Sequence, residues 1–522
     1  MTPARSEALP RRWKVAIVAA AAAALISKIF LALTTYGTND EYAWERFARW
    51  SALFGSRLYT IDAAFNHPPS MIHVLAAMMW LTKTTGIAFP FWLRLPAIIA
   101  DTASVWVVSR IFADRLSEPT VRWGLLLLAL SPALILVSGF HGNTDPVVMF
   151  FVLLSVWLTE RGNGRDWQSG AAVGLAMCIK ILPVIVLPVL FFCRPGLRRK
   201  ANFLIAAAAV VIVCWSPYLF RDPAGIVNQV LGYQSIYGHW GLSWLVCQFP
   251  WFRDSWHEAF QQYGSWVVLA VIAISAFIVN RSQTKPAVYT QVGAALFFFL
   301  AVCSGFGVQY LAWLVPWTVA ISIIPVAFFT LASGAFLFLV YNWWAGGFPW
   351  FLADSNYVGD FTPHLNYFLT LCWISVIMLA LAVWIRRPTF PSSFPKLSTR
   401  ILLSAIAIAI FAYPMWNQVR NIDKRTYPPA NDHAALVTIR AQEDAALSQV
   451  YYRMGRYTDA VVAARTGIAL DPTVLDAWNN LALACIQLQR WDEALNAVNN
   501  AVRLAPNDET ANASLAELLS RR

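Results

Sequence analysis

Stretches of about twenty residues that carry no charge, or a single one, recur from the N-terminus to about residue 416. No other feature restricts the fold as severely. They include Val15–Leu33, Phe203–Tyr218, Ser265–Val279, Val288–Phe306, Val326–Trp344 and Leu365–Ile385. A hydrocarbon core about 30 Å thick takes roughly 20 apolar residues per helix. An ordinary soluble protein carries about a quarter charged residues; here 13% of 522 residues are charged and 58% are apolar. The sequence therefore reads as an all-α, multi-pass membrane protein.

The net charge of +11 invites a nucleic-acid reading, but its placement argues against one. The cations gather in short connectors, at Arg11/Arg12/Lys14, Arg110/Arg115/Arg122, Arg161/Arg165, Arg194/Arg198/Arg199/Lys200, Arg281/Lys285 and Arg386/Arg387. Cationic connectors mark the cytoplasmic side of membrane proteins. The charge is a topology signal, and no nucleic-acid partner is expected. The first apolar run, interrupted by Lys28 and lacking a small-residue cleavage site, reads as an uncleaved signal anchor. Lys28 itself reads as snorkelling to the interface. The seven cysteines are scattered, form no Cys-x-x-Cys pair and suggest neither a disulfide framework nor a zinc site. No cofactor is expected, and no divalent metal is expected to be essential.

Beyond Pro428-Pro429 the chain turns polar and Ala-rich, and a repeat emerges. Leu447, Met454, Tyr457, Ala460, Leu470 and Pro472 recur 34 residues later as Leu481, Leu488, Trp491, Ala494, Leu504 and Pro506. That spacing is the period of the tetratricopeptide repeat, a helix–turn–helix unit. Residues 431–445 would add a helix in front, and Asp508–Leu519 would cap the array. The expected organisation is a membrane domain over residues 1–420 and a repeat domain over residues 431–522.

The basic connectors also order the crossings. With Arg11, Arg12 and Lys14 inside, residues 36–90 begin outside, and Ser70–Leu81 is too short to span and reads as interfacial or re-entrant. Phe91–Ser109 then crosses inward and Trp123–Phe140 outward, so that His141-Gly-Asn-Thr-Asp145 emerges outside. Residues 169–193 are flanked by cations at both ends and broken at Lys180-Ile-Leu-Pro183. A single crossing would put one basic cluster on the wrong side. Two half-spans meeting at Lys180 satisfy both, provided protein covers the irregular backbone. Counting onward predicts about thirteen crossings with the repeats outside the cytoplasm.

Ionisable groups at membrane depth cost about 2.5 kcal/mol or more and are functional candidates. Asp40, Glu41 and His67 lie in the first outer loop, His141 and Asp145 at the second, Lys180 at the break and Arg94 near the outer end of its helix. Two carboxylates and two cations on one face suit sugar transfer from a lipid phosphate. A carboxylate takes the acceptor hydroxyl's proton, and cations stabilise the departing phosphate. Asp40 or Glu41 would be the base, with Lys180 and Arg94 holding the phosphate. Structural readings stand beside these. Asp40 and Glu41 could cap a helix, Asp145 before Pro146 is a helix-start signal, and Arg94 could pair with Asp101. The aromatic loop with Tyr233, Tyr237, His239, Trp240, Trp244 and Trp251 reads as interfacial anchoring more than sugar stacking.

Asp40-Glu41 followed by His67-Pro68-Pro69 resembles the protein O-mannosyltransferase group of the C-type (GT-C) glycosyltransferase superfamily. Arg94-Leu-Pro96, Pro132…Gly142…Asp145 and Gly174…Lys180…Pro183 resemble its polyprenol-phosphate-dependent hexosyltransferases, and Gln309-Tyr310…Trp313…Pro316 is similar to a span common among them. The resemblance covers roughly residues 14–385. It implies a GT-C-like enzyme taking mannose or another hexose from a polyprenyl-phosphate donor on the extracytoplasmic side. The enclosing membrane would be the cell membrane in a bacterium or the endoplasmic reticulum in a eukaryote. Asp40 falls where such enzymes keep the catalytic carboxylate, Glu41 where a neighbour assists. Asp145, Lys180, Arg94, His67, His141, Gln309 and Tyr310 would face substrate. Membrane lipid is an expected partner, as is a protein or acceptor at the repeats. The alternatives are a polymerase or ligase of lipid-linked glycans and a transporter or flippase of lipid-linked sugars.

Overall fold

A computed structural model describes residues 9–38, 40–162, 164–233, 235–247, 254–282, 285–344, 363–385 and 433–520. Asn39, Trp251, the Arg386/Arg387 connector, the apolar stretch ending near residue 416 and the Pro428-Pro429 junction lie outside the described residues. The chain divides into two compact units, Met1–Tyr427 and Pro428–Arg522.

Among its described residues the regular structure of the first unit is helical apart from one short antiparallel pairing, Ile236 with Phe306 and Tyr237 with Gly305. Its main helices are α1 (Arg11–Thr34), α2 (Asp40–Phe54), α3 (Ser70–Thr85), α4 (Phe89–Ile111), α5 (Pro119–Ala129), α6 (Pro132–Leu136), α7 (Asp145–Glu160), α8 (Asp166–Ile179), α9 (Leu187–Phe192) and α10 (Leu197–Leu219). They continue with α11 (Gly241–Cys247), α12 (Asp254–Arg281), α13 (Val288–Val302), α14 (Ile323–Trp344) and α15 (Pro363–Ile385). Among the described residues, seven helical stretches are long and apolar enough to cross a membrane. The expected thirteen is not confirmed, because apolar segments such as α8, α9 and α13 stop short of a full span. On α1, Val15, Val18, Ile26, Phe30 and Leu33 are exposed, as are Ile205, Ile212 and Val213 on α10 and Trp266, Val267 and Ile274 on α12. Apolar faces of that extent are stable in lipid and not in water. The protein is a multi-pass membrane protein.

Two interruptions shape the core. At Ser131-Pro132 the missing proline N–H ends α5 and starts α6, whose first turn Ser131 caps by accepting from Leu134 N at 3.4 Å. A π-turn over Val137–His141 follows, a wide turn that commonly marks function. The second interruption is the break after α8. Lys180 is extended (φ −154°, ψ 142°), and a 3-10 turn over Leu182–Ile185 leads into α9. The far ends of this broken segment meet again, because Arg194 Nε donates to Asp166 Oδ1 at 3.1 Å. Chain entering at Asp166 thus leaves beside its own start, as two half-spans require. The Gly170-x-x-x-Gly174 face of α8 packs directly on α10, since a Cβ on Gly174 would stand 2.8 Å from the Ala207 carbonyl oxygen.

Two readings of isolated charges are corrected. Lys28 does not snorkel; it is buried and donates to Asp101 Oδ2 at 2.8 Å. Asp101 is therefore not the partner of Arg94, and a charge stranded in hydrocarbon gains more from an opposite charge than from a stretch towards water. Trp240 is no interfacial anchor. It is buried, stacks on Phe306 at 4.1 Å and donates to Leu300 O at 2.6 Å.

The second unit comprises α16 (His433–Arg453), α17 (Tyr457–Leu470), α18 (Leu475–Gln487), α19 (Trp491–Leu504) and α20 (Glu509–Ser520). Ala460 and Ala494, one repeat apart, are fully buried where helices cross. Ser448 on α16 donates to the Ala460 carbonyl at 2.7 Å, and Asn480 on α18 donates to Ala445 O at 2.8 Å. These are helical pairs with a terminal cap, as the 34-residue spacing predicts.

Candidate functional site

The chain leaves α1 at Thr35 and enters α2 with Asp40 and Glu41 in its first turn, where acids complement the helix dipole. Adjacent helical residues point in different directions, and here that separates their fates. The Glu41 side chain is 0% exposed, whereas that of Asp40 is 42% exposed. Arg94 Nε donates to Glu41 Oε1 at 2.9 Å. The remaining guanidinium donors reach the carbonyl oxygens of Leu31, Thr35 and Tyr36. Arg94 is wholly buried. Its donors are committed to clasping α1 to α2, so the expectation that it grips phosphate does not survive. Burial pushes the Glu41 carboxyl up to about 8, with the Arg94 charge pulling the other way. Gly142 (φ +71°) closes over this pair, and any Cβ there would collide with Glu41 Oε1.

The π-turn aims His141 at Asp40. The hydroxyl of Thr38 lies 2.8 Å from Nδ1, and Nε2 lies 3.3 Å from Asp40 Oδ2. The imidazole stacks on Tyr341 with centroids 5.0 Å apart and 13° between planes. Four residues beyond His141, Asp145 opens α7 with Pro146 in its first turn, a favourable start. It is fully buried and accepts from Lys180 Nζ at 2.8 and 3.1 Å and from Trp313 Nε1 at 2.7 Å. Lys180 keeps 15% of its side chain exposed. Its ammonium stands 5.3 Å from the ring centroid of Tyr310, which stacks on Trp313.

His67 stacks on Trp44 at 4.2 Å. Burial drives its imidazole down to about 3, with the Lys180 charge adding to the effect. Gln309 is half-buried in the turn beside Gly307 and makes no hydrogen bond to the other candidates. The structure therefore brings Asp40, Glu41, Arg94 and His141 into one group. Asp145, Lys180 and Tyr310 form an adjoining one, with His67 at its edge.

Thr38, Trp313 and Tyr341 also belong to the site. Tyr341 stands near the end of an apolar helix and carries no local signal in the sequence. Buried polar atoms without a hydrogen-bond partner among the described residues gather here, among them Glu41 Oε2, His141 Nε2, Asn143 Oδ1, Thr144 Oγ1 and the Tyr341 hydroxyl. Such atoms are rare in folded proteins and each calls for an explanation. Among the described residues no group of three or more His, Cys, Asp or Glu side chains is arranged to hold a metal ion.

Comparison with known proteins addresses the same region. Residues 65–303 match the model of glycosyltransferase family 87, and residues 445–509 match that of the tetratricopeptide repeat. The resemblance to GT-C glycosyltransferases with attached repeats is thereby borne out. The first match takes in His67, Arg94, His141, Asp145 and Lys180 and begins after Asp40 and Glu41. An alpha-(1->3)-arabinofuranosyltransferase of Mycolicibacterium smegmatis is 24% identical over 187 residues, 35% of this chain and 41% of that protein. GPI mannosyltransferase 1 of Trypanosoma brucei brucei is 22% identical over 121 residues, 23% of this chain and 26% of that protein. The chain thus spans less than half the length of either relative. A NAD(P)H-quinone oxidoreductase chain 4 of a Synechococcus species is 34% identical over 109 residues, 20% of this chain and 19% of that protein. Apolar segments draw on few residue types, so an alignment that short says little about chemistry.

Proposed function

We propose that the chain is an integral-membrane glycosyltransferase of the GT-C type. It moves a hexose such as mannose from a polyprenyl-phosphate donor to an acceptor on the extracytoplasmic side. One observation carries the reading. Of the three carboxylates at the site, Glu41 and Asp145 are fully buried and bound to cations, while Asp40 keeps 42% of its side chain exposed. Asp40 is thus the acid able to meet an acceptor hydroxyl. The family match and the two glycosyltransferase relatives support the same class.

In this scheme Asp40 takes the hydroxyl proton as that oxygen attacks the anomeric carbon. The acceptor oxygen–carbon bond forms, and the bond from that carbon to the phosphate oxygen breaks. The leaving phosphate gains negative charge, which Lys180 stabilises from its place over Tyr310 and Trp313. The His141 imidazole stands beside the Asp40 carboxylate, with the Thr38 hydroxyl fixing the ring. Glu41 and Arg94 act as positioning residues that fix the start of α2. The repeat unit offers a surface for a protein partner or acceptor.

The test is purified full-length protein with labelled polyprenyl-phosphate-mannose and, in parallel, a polyprenyl-diphosphate-linked oligosaccharide. The proposal expects label to leave the monophosphate lipid. Consumption of the diphosphate donor alone would favour a polymerase or ligase. Lipid crossing a vesicle wall with no new glycosidic bond would favour a transporter.

A further inference from the structure

The far end of α2 holds a second polar site. Ser56, Arg57, Thr60, Arg221 and Asp222 line a cleft of about 310 Å³ where the turn after α2 meets the end of α10. Asp222 is already engaged. Its Oδ1 accepts from Gly225 N at 2.9 Å and its Oδ2 from Thr60 Oγ1 at 3.0 Å. Arg221 Nη1 donates to Ser56 Oγ at 3.2 Å, and neither arginine has a carboxylate partner among the described residues. Two guanidinium groups beside one cavity repel each other unless an anion joins them, and their planar forks match phosphate oxygens.

The surroundings say what carries that anion. Leu219 and Phe220 at the end of the membrane-spanning α10, Leu53 on α2 and Val227 nearby are all exposed apolar side chains. A cationic cleft beside exposed apolar side chains, at the end of a helix long enough to span a membrane, suits the head group of a lipid. It is also separate from the Asp40 site. The fifteen residues of α2 at about 1.5 Å each put the two ends of the helix some 22 Å apart, too far for one phosphate to serve both.

We propose that this cleft binds the phosphate of an anionic lipid head group, with Arg57 and Arg221 as the paired ligands and Ser56 as a further donor. The site is read by lipid binding, not by transfer.

The test is native mass spectrometry of the full chain in detergent with added phosphatidylglycerol, diacylglycerol or inorganic phosphate. Wild-type protein should retain phosphatidylglycerol, and retention should fall about tenfold in Arg57→Gln/Arg221→Gln. Arg57→Gln alone, at an exposed side chain with no partner to lose, should weaken retention without changing thermal stability. Diacylglycerol should not be retained. Equal retention of phosphatidylglycerol by wild type and both variants would overturn the proposal. Inorganic phosphate binding as tightly as the lipid would overturn the head-group assignment in favour of a free anion.

Discussion

Lys180 Nζ and Asp145 Oδ1 lie 2.8 Å apart, joining the broken end of α8 to the first residue of α7. The pair holds in place the cation proposed to meet the departing phosphate, and it fixes the hairpin of α7 and α8 at one end. Ser155 and Ser169 fix the other at 2.8 Å. Removing one member strands a buried charge, which costs about 3 kcal/mol or more. Lys180→Met should therefore lower stability by about that amount and abolish transfer. Lys180→Met/Asp145→Leu should recover most of the stability and none of the transfer. Thermal unfolding in detergent and donor turnover separate the two effects.

Arg94 is predicted to be structural. Lys cannot reproduce its fork onto Glu41 and three carbonyl groups, so Arg94→Lys should destabilise the protein by about 2–4 kcal/mol. Glu41→Gln keeps an acceptor for Arg94, and burial already pushes the Glu41 carboxyl up to about 8. That variant should keep at least about a tenth of wild-type turnover, a loss under about 1.4 kcal/mol in barrier. Folding yield and turnover of the two variants provide the check.

His67 gives a pH dependence with a definite sign. Its folded-state value is lowered to about 3 from 6.5. The unfolded chain therefore binds one more proton between those limits. Stability from this group is present above about pH 6.5 and is lost as pH falls towards 3. In His67→Gln this loss is absent. The unfolding free energy of the variant minus that of wild type should rise by up to about 1.4 kcal/mol per pH unit on acidification from 6.5 to 4.5. Thermal melts at a series of pH values measure the difference.

In the repeat unit, Ala494 is fully buried at a helix crossing. Ala494→Leu should overpack that contact and cost about 1–3 kcal/mol. Limited proteolysis of the full chain should then cut residues 433–520 first, with turnover on a simple acceptor unchanged.

Local patterns carried the sequence reading further than distant ones did. The repeat was legible because six matched positions return at one interval, and the broken hairpin because basic clusters flank both its ends. Arg194 reaching Asp166 closes that hairpin as the flanks demand. Pairings between remote segments were not legible. Lys28 with Asp101 spans 73 residues and Arg94 with Glu41 spans 53. Nothing in a single sequence ranks Asp101 below Glu41 as a partner for Arg94. Crossing number suffered likewise, since apolar composition does not separate a full span from a half-span covered by protein. Placing Asp40, Asp145 and Lys180 on one face followed from crossing order, but the stacking of Tyr341 on His141 required the packed helices.

The most direct test of Asp40 as the proton acceptor compares Asp40→Asn with wild type in a single turnover of labelled polyprenyl-phosphate-mannose. Asn keeps the shape and the approach of His141 but cannot take a proton. Transfer should fall by about a thousandfold or more, with donor affinity and melting temperature unchanged. Transfer by Asp40→Asn within about tenfold of wild type would contradict the assignment.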